Sequence, residues 1–362
     1  MNQTGDSHFF LPFFNIFGEI LTIRGIRVCI QEMYCMRRHL MYIKKSFLVI
    51  IILILAAAFL LLFVQNSNRE SHINEEYVNA EEFGAAGGDD KDDSRAIQAA
   101  INFSAKEKIG KVKLSGNHHF ILKNGIKVKE GVKVELGENT KIFVEGNFRA
   151  FELMKNASIE NGTIEVTKAE FASDVIYLNG KERFWSHERT RIHNVAIINS
   201  SGTNSGKAIS LYSKGADHFI SFVNFSDINI SGFEYGIHIL SEKYSDDQFS
   251  FINGNRFTNI TLDDCLTCIH IDSSITIPNE SSGNQFTGVQ LQLTEKTERA
   301  IYVSGSDNFF EAMIWDPQVA EEGKPLVEFS KSSMRSYMLT NLDSDLVKDD
   351  GDSNRIAQYS QQ

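Results

Sequence analysis

Between residues 175 and 329 one short pattern of apolar and variable positions recurs six times. The copies read Val175-Ile176-Tyr177-Leu178, Ala208-Ile209-Ser210-Leu211, Gly236-Ile237-His238-Ile239, Cys268-Ile269-His270-Ile271, Ala300-Ile301-Tyr302-Val303 and Leu326-Val327-Glu328-Phe329. Their second residues are separated by 33, 28, 32, 32 and 26 positions. Each copy alternates apolar, variable, apolar, as a strand with one buried face does. A strand that returns at roughly 30-residue intervals predicts one coil of a solenoid per interval. No helical period separates the copies, so the pattern predicts a parallel β-helix.

A second ladder keeps the same phase. Phe225 and Ile228, Phe257 and Ile260, Phe286 and Val289, and Phe310 and Met313 are pairs three apart, and Asn255, Asn284 and Asn308 each precede their Phe by two. Successive coils are expected to stack the Phe rings inside. The Asn residues are expected at turns, in left-handed geometry and with amides bonded along the ladder. Strand alternation is also visible upstream, in Val132-Lys133-Val134-Glu135-Leu136, Ile142-Phe143-Val144 and Ile159 to Val166. From Lys111 onward this predicts roughly eight coils.

Before the strands, Ser94 to about Lys108 reads as a helix. Asp92, Asp93 or Ser94 can cap it, and Ala96, Ile97, Ala100 and Ile101 make an apolar stripe. A solenoid end exposes unpaired strand edges, and this amphipathic helix is suited to cover one. The predicted organisation is a β-helix domain over 80–348, with its cap at 80–110, and a polar tail over 349–362.

Hydropathy changes the picture upstream. Phe47 to Val64 is a run of 18 uncharged, almost wholly apolar residues, long enough to span a bilayer. Lys44 and Lys45 precede it and Gln65-Asn66-Ser67-Asn68 follows. The positive-inside rule then predicts 1–46 as a short cytoplasmic segment, 47–64 as a signal-anchor, 65–79 as a polar stalk and the remainder as extracellular, a single-pass type II protein of the cell membrane. Ala56-Ala57-Ala58 offers the alternative of a cleaved signal and secretion. Met36 and Met41 are alternative starts to Met1.

Charge divides in the same way. Residues 1–46 carry six Lys/Arg against three Asp/Glu, and the part beyond the apolar run carries 30 against 44. So acidic an exterior argues against nucleic acid, and against capture of a polyanionic glycan unless cations bridge. Four cysteines are too few for a disulfide scaffold. Cys265-Leu266-Thr267-Cys268 has redox or zinc spacing, but Cys268 takes the place of Ala208, Gly236 and Ala300 in other copies, so it reads as a small buried residue.

Phe83-Gly84-Ala85-Ala86-Gly87-Gly88-Asp89-Asp90-Lys91-Asp92-Asp93-Ser94-Arg95-Ala96-Ile97-Gln98-Ala99-Ala100-Ile101 resembles the N-terminal signature of the pectate-lyase superfamily, which includes rhamnogalacturonase- and epimerase-like domains and phage tailspikes. Two positions depart: the usual Gly-Asp-Gly is Gly87-Gly88-Asp89, and the usual Thr is Ser94. The resemblance implies an all-β, right-handed parallel β-helix with a capping α-helix, and a polysaccharide as partner. It does not name a reaction. The paired Asp near Gly-His-Gly and the Arg-Ile-Lys of polygalacturonase-like members are missing, and there is no clean copy of the Asp cluster of calcium-dependent pectate lyases.

Strand alternation points the middle residue of each repeat outward: Tyr177, Ser210, His238, His270, Tyr302 and Glu328. Rings at one-coil spacing could hold a sugar chain across the coils, with Tyr177, His238, Tyr302 and Glu234 as substrate-binding candidates. Asp263, Asp264, His270 and Asp272 form the candidate catalytic group. Paired carboxylates can divide acid and base roles in glycoside hydrolysis. A His beside a carboxylate can instead take a C5 proton in a lyase or epimerase. Asp246, Asp247, Asp263 and Asp264 could also offer oxygens to Ca²⁺, though without calcium-loop spacing. Two classes stay open: a membrane-anchored extracellular polysaccharide lyase or glycoside hydrolase, and a non-catalytic glycan-binding or scaffold β-helix.

Overall fold

A computed structural model describes residues 53–60, 76–245, 247–273, 281–319, 321 and 323–359. The chain divides into two compact units, Met1–His72 and Ile73–Gln362. In the first, residues 53–60 are helical and their side chains are exposed. The other residues of the expected span, 47–52 and 61–64, lie outside the described residues, as do 1–46, 65–75 and Asp246. Among the described residues no helix is long and apolar enough to cross a membrane.

The second unit is a parallel β-helix. One long sheet, here the back sheet, climbs through Val78–Asn79, Lys111–Leu114, Lys133–Leu136, Ser158–Glu160, Arg191–Asn199, Asn224–Ser231, Arg256–Asp263, Gln285–Gln292, Phe309–Trp315, Tyr337–Thr340 and Arg355–Gln358. The front sheet climbs through Ile126–Val128, Phe151–Leu153, Asp174–Asn179, Lys207–Ser213, Tyr235–Ser241, Thr267–Ser273, Arg299–Ser306, Val327–Met334 and Val347–Asp349. Three middle coils add a third side, His218–Ser221, Ser250–Asn253 and Ser281–Ser282. Every coil stacks in parallel on the next.

The two sequence ladders are the two walls of the core. Ile176, Ile209, Ile237, Ile269, Ile301 and Val327 are partners in register and fully buried. Phe225, Phe257, Phe286 and Phe310 stack at centroid distances of 4.5, 4.5 and 5.0 Å, within 10° of parallel. Such stacks add about 0.5–1.5 kcal/mol per pair beyond area burial.

Each Phe and the apolar residue three further on both point inward because one residue between them bulges. Asn194, Asp227, Asn259 and Gly288 hold that place with φ of 53°, 56°, 54° and 64°. Asn259 Nδ2 donates to Asp227 Oδ1 (3.1 Å), and a side chain at Gly288 would meet Asn259 Oδ1. The next coil lacks the bulge. Phe309–Trp315 alternates strictly, so Ala312 pairs with Val289 and Met313 turns outward beside Gln290. The expected pair Phe310/Met313 is therefore Phe310/Ala312.

Asn255, Asn284 and Asn308 are buried and bonded along the axis. Asn255 Oδ1 accepts from the Val223 N–H (3.0 Å), Asn284 Oδ1 from the Asn255 N–H (3.1 Å) and Asn308 Oδ1 from the Asn284 N–H (3.0 Å). The left-handed geometry expected of them belongs to the residues just before: Gly254, Gly283 and Asp307.

The cap helix is Ser94–Lys106, two residues shorter than expected. Asp93 is buried; its Oδ1 accepts from the Ala86 N–H and its Oδ2 from the Ile121 N–H, both at 2.9 Å. Asp92 accepts from the Ser94, Lys123 and Asn124 nitrogens; burial pushes its carboxyl up, but these bonds hold it below the ordinary range. The acidic pair pins the helix to the first coils. Coils are more numerous than the roughly eight expected. Val112, Val134 and Ile159 succeed one another at shorter intervals, and the ladder continues past 348 into the predicted polar tail. There Ile356 packs inward beside Met338, a single apolar residue too few to reveal a strand in sequence.

Candidate functional site

The front sheet carries one outward row in strict register: Lys127, Glu152, Tyr177, Ser210, His238, His270, Tyr302, Glu328 and Lys348. Both ends are ion-paired. Glu152 meets Lys127 (3.8 Å) and Lys181 (3.2 Å), and Glu328 meets Arg299 (3.0 Å) and Lys348 (3.5 Å). Tyr177 is only 3% exposed, lies under the Arg149 guanidinium at 3.7 Å and accepts a hydrogen bond from Asn179 Nδ2.

Between these ends lies an uncharged stretch: Ser210, His238, His270 and Tyr302. Burial, then His270 and Lys207, pushes His238 down to about 3. Burial also lowers His270, with Arg299 in the same sense and Asp272 against it. Both imidazoles are neutral at physiological pH. The His238 and His270 centroids are 5.4 Å apart, and His270 stacks on Tyr302 at 4.7 Å and 18°. Tyr235 closes edge-on over His270 (5.1 Å) and packs on His238 (4.9 Å). The rings thus spend their faces on one another and turn edges outward. Ring edges make hydrogen bonds, so the expected platform of open aromatic faces is instead a row of ring nitrogens and hydroxyls.

His270 Nδ1 and Arg299 Nε, on adjacent coils, are buried without a hydrogen-bond partner among the described residues, although the Arg299 guanidinium is ion-paired with Glu328 through Nη2. Such groups are rare in a folded core and costly. Arg299 lies 5.2 Å from the Tyr302 ring centre. Neither Tyr235 nor Arg299 was among the sequence candidates. Both belong to the column Asp174, Lys207, Tyr235, Thr267, Arg299, three positions before the row, just outside the recurrent segments.

The other candidates divide. Asp272 lies on the His270 strand, two positions on, and is exposed. Glu234 directly precedes Tyr235; burial first, then Glu234 and Glu298, raise the Tyr235 phenol. Asp263 belongs to the back sheet, in register with Ser231 and Gln292, around the corner from His270. Asp264 forms that corner at φ 48°. Its Oδ1 accepts from Thr294 Oγ1 (2.9 Å) and its Oδ2 from Lys296 Nζ (3.1 Å). Burial opposes these bonds, yet they keep its carboxyl below the ordinary range. The structure therefore unites His238, His270, Tyr302, Asp272 and Tyr235, and sets Asp263 and Asp264 apart. For Ca²⁺, the Asp264 oxygens are already engaged, and among the described residues no three His, Cys, Asp or Glu converge as a metal site. Cys265 and Cys268 are buried free thiols; burial raises Cys265 to about 12 and Cys268 likewise upward, which makes them inert core residues.

No protein-family model matches the chain, and no curated protein matches it in sequence. Several solved structures do resemble it. ORF18 of Geobacillus virus E2 is 13% identical, with 78% of this chain and 61% of that one covered and a TM-score of 0.45. The A-module of the Azotobacter vinelandii mannuronan C-5 epimerase AlgE4 is 14% identical, with 79% and 97% covered and a TM-score of 0.37. The Streptococcus pneumoniae surface protein and adhesin PfbA is 12% identical, with 78% and 97% covered and a TM-score of 0.34. The chain spans about three fifths of the length of the Geobacillus virus protein. Its own parallel coils and helical cap are the architecture implied by the resemblance of Phe83–Ile101 to the pectate-lyase superfamily.

Proposed function

We propose that this is a polysaccharide-active β-helix, anchored in the membrane by 47–64 with its coils outside the cell, and that a glycan crosses the front sheet at Ser210, His238, His270 and Tyr302. The observation that carries the reading is the uncharged outward stretch Ser210, His238, His270 and Tyr302, in register on four consecutive coils and bounded by ion pairs at Glu152 and Glu328.

Of the two reactions, elimination fits better than hydrolysis. Hydrolysis wants two carboxylates facing one sugar bond. Asp263 stands on the other sheet and Asp264 is tied to Thr294 and Lys296. Elimination needs a single unprotonated base, and burial keeps the His270 imidazole unprotonated; it would take the C5 proton of a uronate while the C4–O bond breaks, C4 and C5 become doubly bonded and the leaving oxygen is protonated. Arg299, whose guanidinium meets Glu328 (3.0 Å), would lend positive charge near the sugar carboxylate, and Tyr235 would stand as proton donor. The second reading is a binding module without turnover, favoured by the depression of His238 to about 3, which leaves it a hydrogen-bonding group and a poor base.

The test is a panel of neutral and uronate polysaccharides incubated with the full-length chain in a detergent without a sugar headgroup. Ultraviolet-absorbing unsaturated products identify a lyase, new reducing ends alone a hydrolase, and saturable binding without product the binding module. Removing a general base costs about 10²–10⁴-fold. His270→Ala should do so, or weaken binding, while Asp263→Asn changes neither. A His270→Ala protein that binds and turns over every glycan like the wild type overturns the assignment.

A further inference from the structure

Outward positions on the back sheet change character along the solenoid. The first coils carry paired charges: Lys111 and Lys113 reach Glu135 (3.7 and 3.6 Å), and Lys133 reaches Glu160 (2.9 Å). Later coils add hydroxyls, amides and aromatic rings among the charges, such as Thr258, Gln290, Gln292, Phe309 and Trp315. One column there runs Ser231, Asp263, Gln292, Trp315 in register.

Trp315 is 49% exposed, yet it is held: its Nε1–H donates to Gln290 Oε1 on the preceding coil at 2.7 Å. A tethered indole that is half exposed presents fixed apolar ring surface to solvent. Beside it Gln292 Nε2 donates to Asp316 Oδ2 (2.7 Å) and Gln318 Nε2 to Asp316 Oδ1 (3.3 Å). This is the chemistry a sugar ring requires: an apolar plane for its C–H face, and amides that both donate and accept for its hydroxyls. Unlike in the front row, no aromatic ring stacks on this indole among the described residues.

We propose that Trp315, Gln290, Gln292 and Asp316 form a second saccharide-binding surface, on the back sheet, for an uncharged glycan chain. The charge bonded into the cluster is the Asp316 carboxylate, and Asp263 stands in the same column, so a polyanion is repelled. The proposal is independent of the front-sheet reading.

The chain has two tryptophans, Trp185 and Trp315, so Trp185→Phe leaves Trp315 as the sole indole reporter. That full-length variant, in a detergent without a sugar headgroup, is titrated with neutral β-1,4-linked hexasaccharides of glucose, xylose, mannose and N-acetylglucosamine, and with hexagalacturonate. At least one neutral hexamer should shift Trp315 emission saturably, at least about tenfold more tightly than hexagalacturonate. Adding Gln292→Ala should weaken the response, and adding His270→Ala should leave it unchanged. No saturable change with any neutral hexamer up to about 10 mM overturns the proposal. So does an equal response to hexagalacturonate. So does an emission that shifts with protein concentration in the absence of sugar, which would mean that a second copy covers the indole.

Discussion

Asn284→Ala tests whether the internal amide ladder or the apolar stacks alone hold the coils together. Asn284 is fully buried. Its Oδ1 accepts from the Asn255 N–H (3.1 Å) and Asn255 Nδ2 (3.0 Å), and its Nδ2 donates to the Ile252 carbonyl (3.0 Å) and Asn308 Oδ1 (3.2 Å). Truncation leaves the buried Asn255 N–H without that acceptor, at about 1–3 kcal/mol, while the other lost bonds cost about 0.5–1.5 kcal/mol each. Asn255 Nδ2 keeps the Ile220 carbonyl (3.1 Å), which limits the damage. The expected loss is about 3–5 kcal/mol, a large share of the roughly 5–15 kcal/mol by which domains are stable. The matched control is Asn102→Ala, whose side-chain oxygen accepts from Gln98 Nε2 on the exposed face of the cap helix (3.1 Å) and whose loss should cost less than about 0.5 kcal/mol. Urea unfolding followed by far-ultraviolet circular dichroism gives both midpoints. If Asn284→Ala is within about 1 kcal/mol of wild type, the ladder is dispensable and the apolar stacks alone hold the coils together.

Ile269→Asp places a charge between Ile237 and Ile301 in the middle of the front core and should abolish soluble expression; a folded, monodisperse product would contradict the stack. His238 is held near 3 in the fold against about 6.5 unfolded, so the unfolded chain binds the extra proton between these values. Stability is then fully present above pH 6.5 and falls as pH drops, by up to about 1.4 kcal/mol per unit; urea midpoints from pH 7 to 5 should show a slope that His238→Phe flattens. With 47–64 as a type II anchor, protease added to intact cells should digest the β-helix, and full protection would reverse the topology.

The sequence by itself determined the architecture, because a β-helix is written locally. Period-two alternation marks each strand, and its return at coil length sets Ile176, Ile209, Ile237, Ile269 and Ile301 in one stack. The same periodicity put Tyr177, His238, His270 and Tyr302 in one outward row. Tertiary structure decided what depends on corners and on burial by distant neighbours. A left-handed residue at Asp264 turns the chain, so Asp263 and His270, seven residues apart, face out of different sheets. The absence of one bulge in Phe309–Trp315 exchanged Met313 for Ala312 inside and aligned Trp315 with Gln292. Stacking in register turned ring faces into ring edges. Tyr235, three positions from the row in sequence, packs on both imidazoles, and Arg299 lies beside His270 and Tyr302. A proton's affinity depends on everything packed around the ring, and that packing exists only once the coils are assembled.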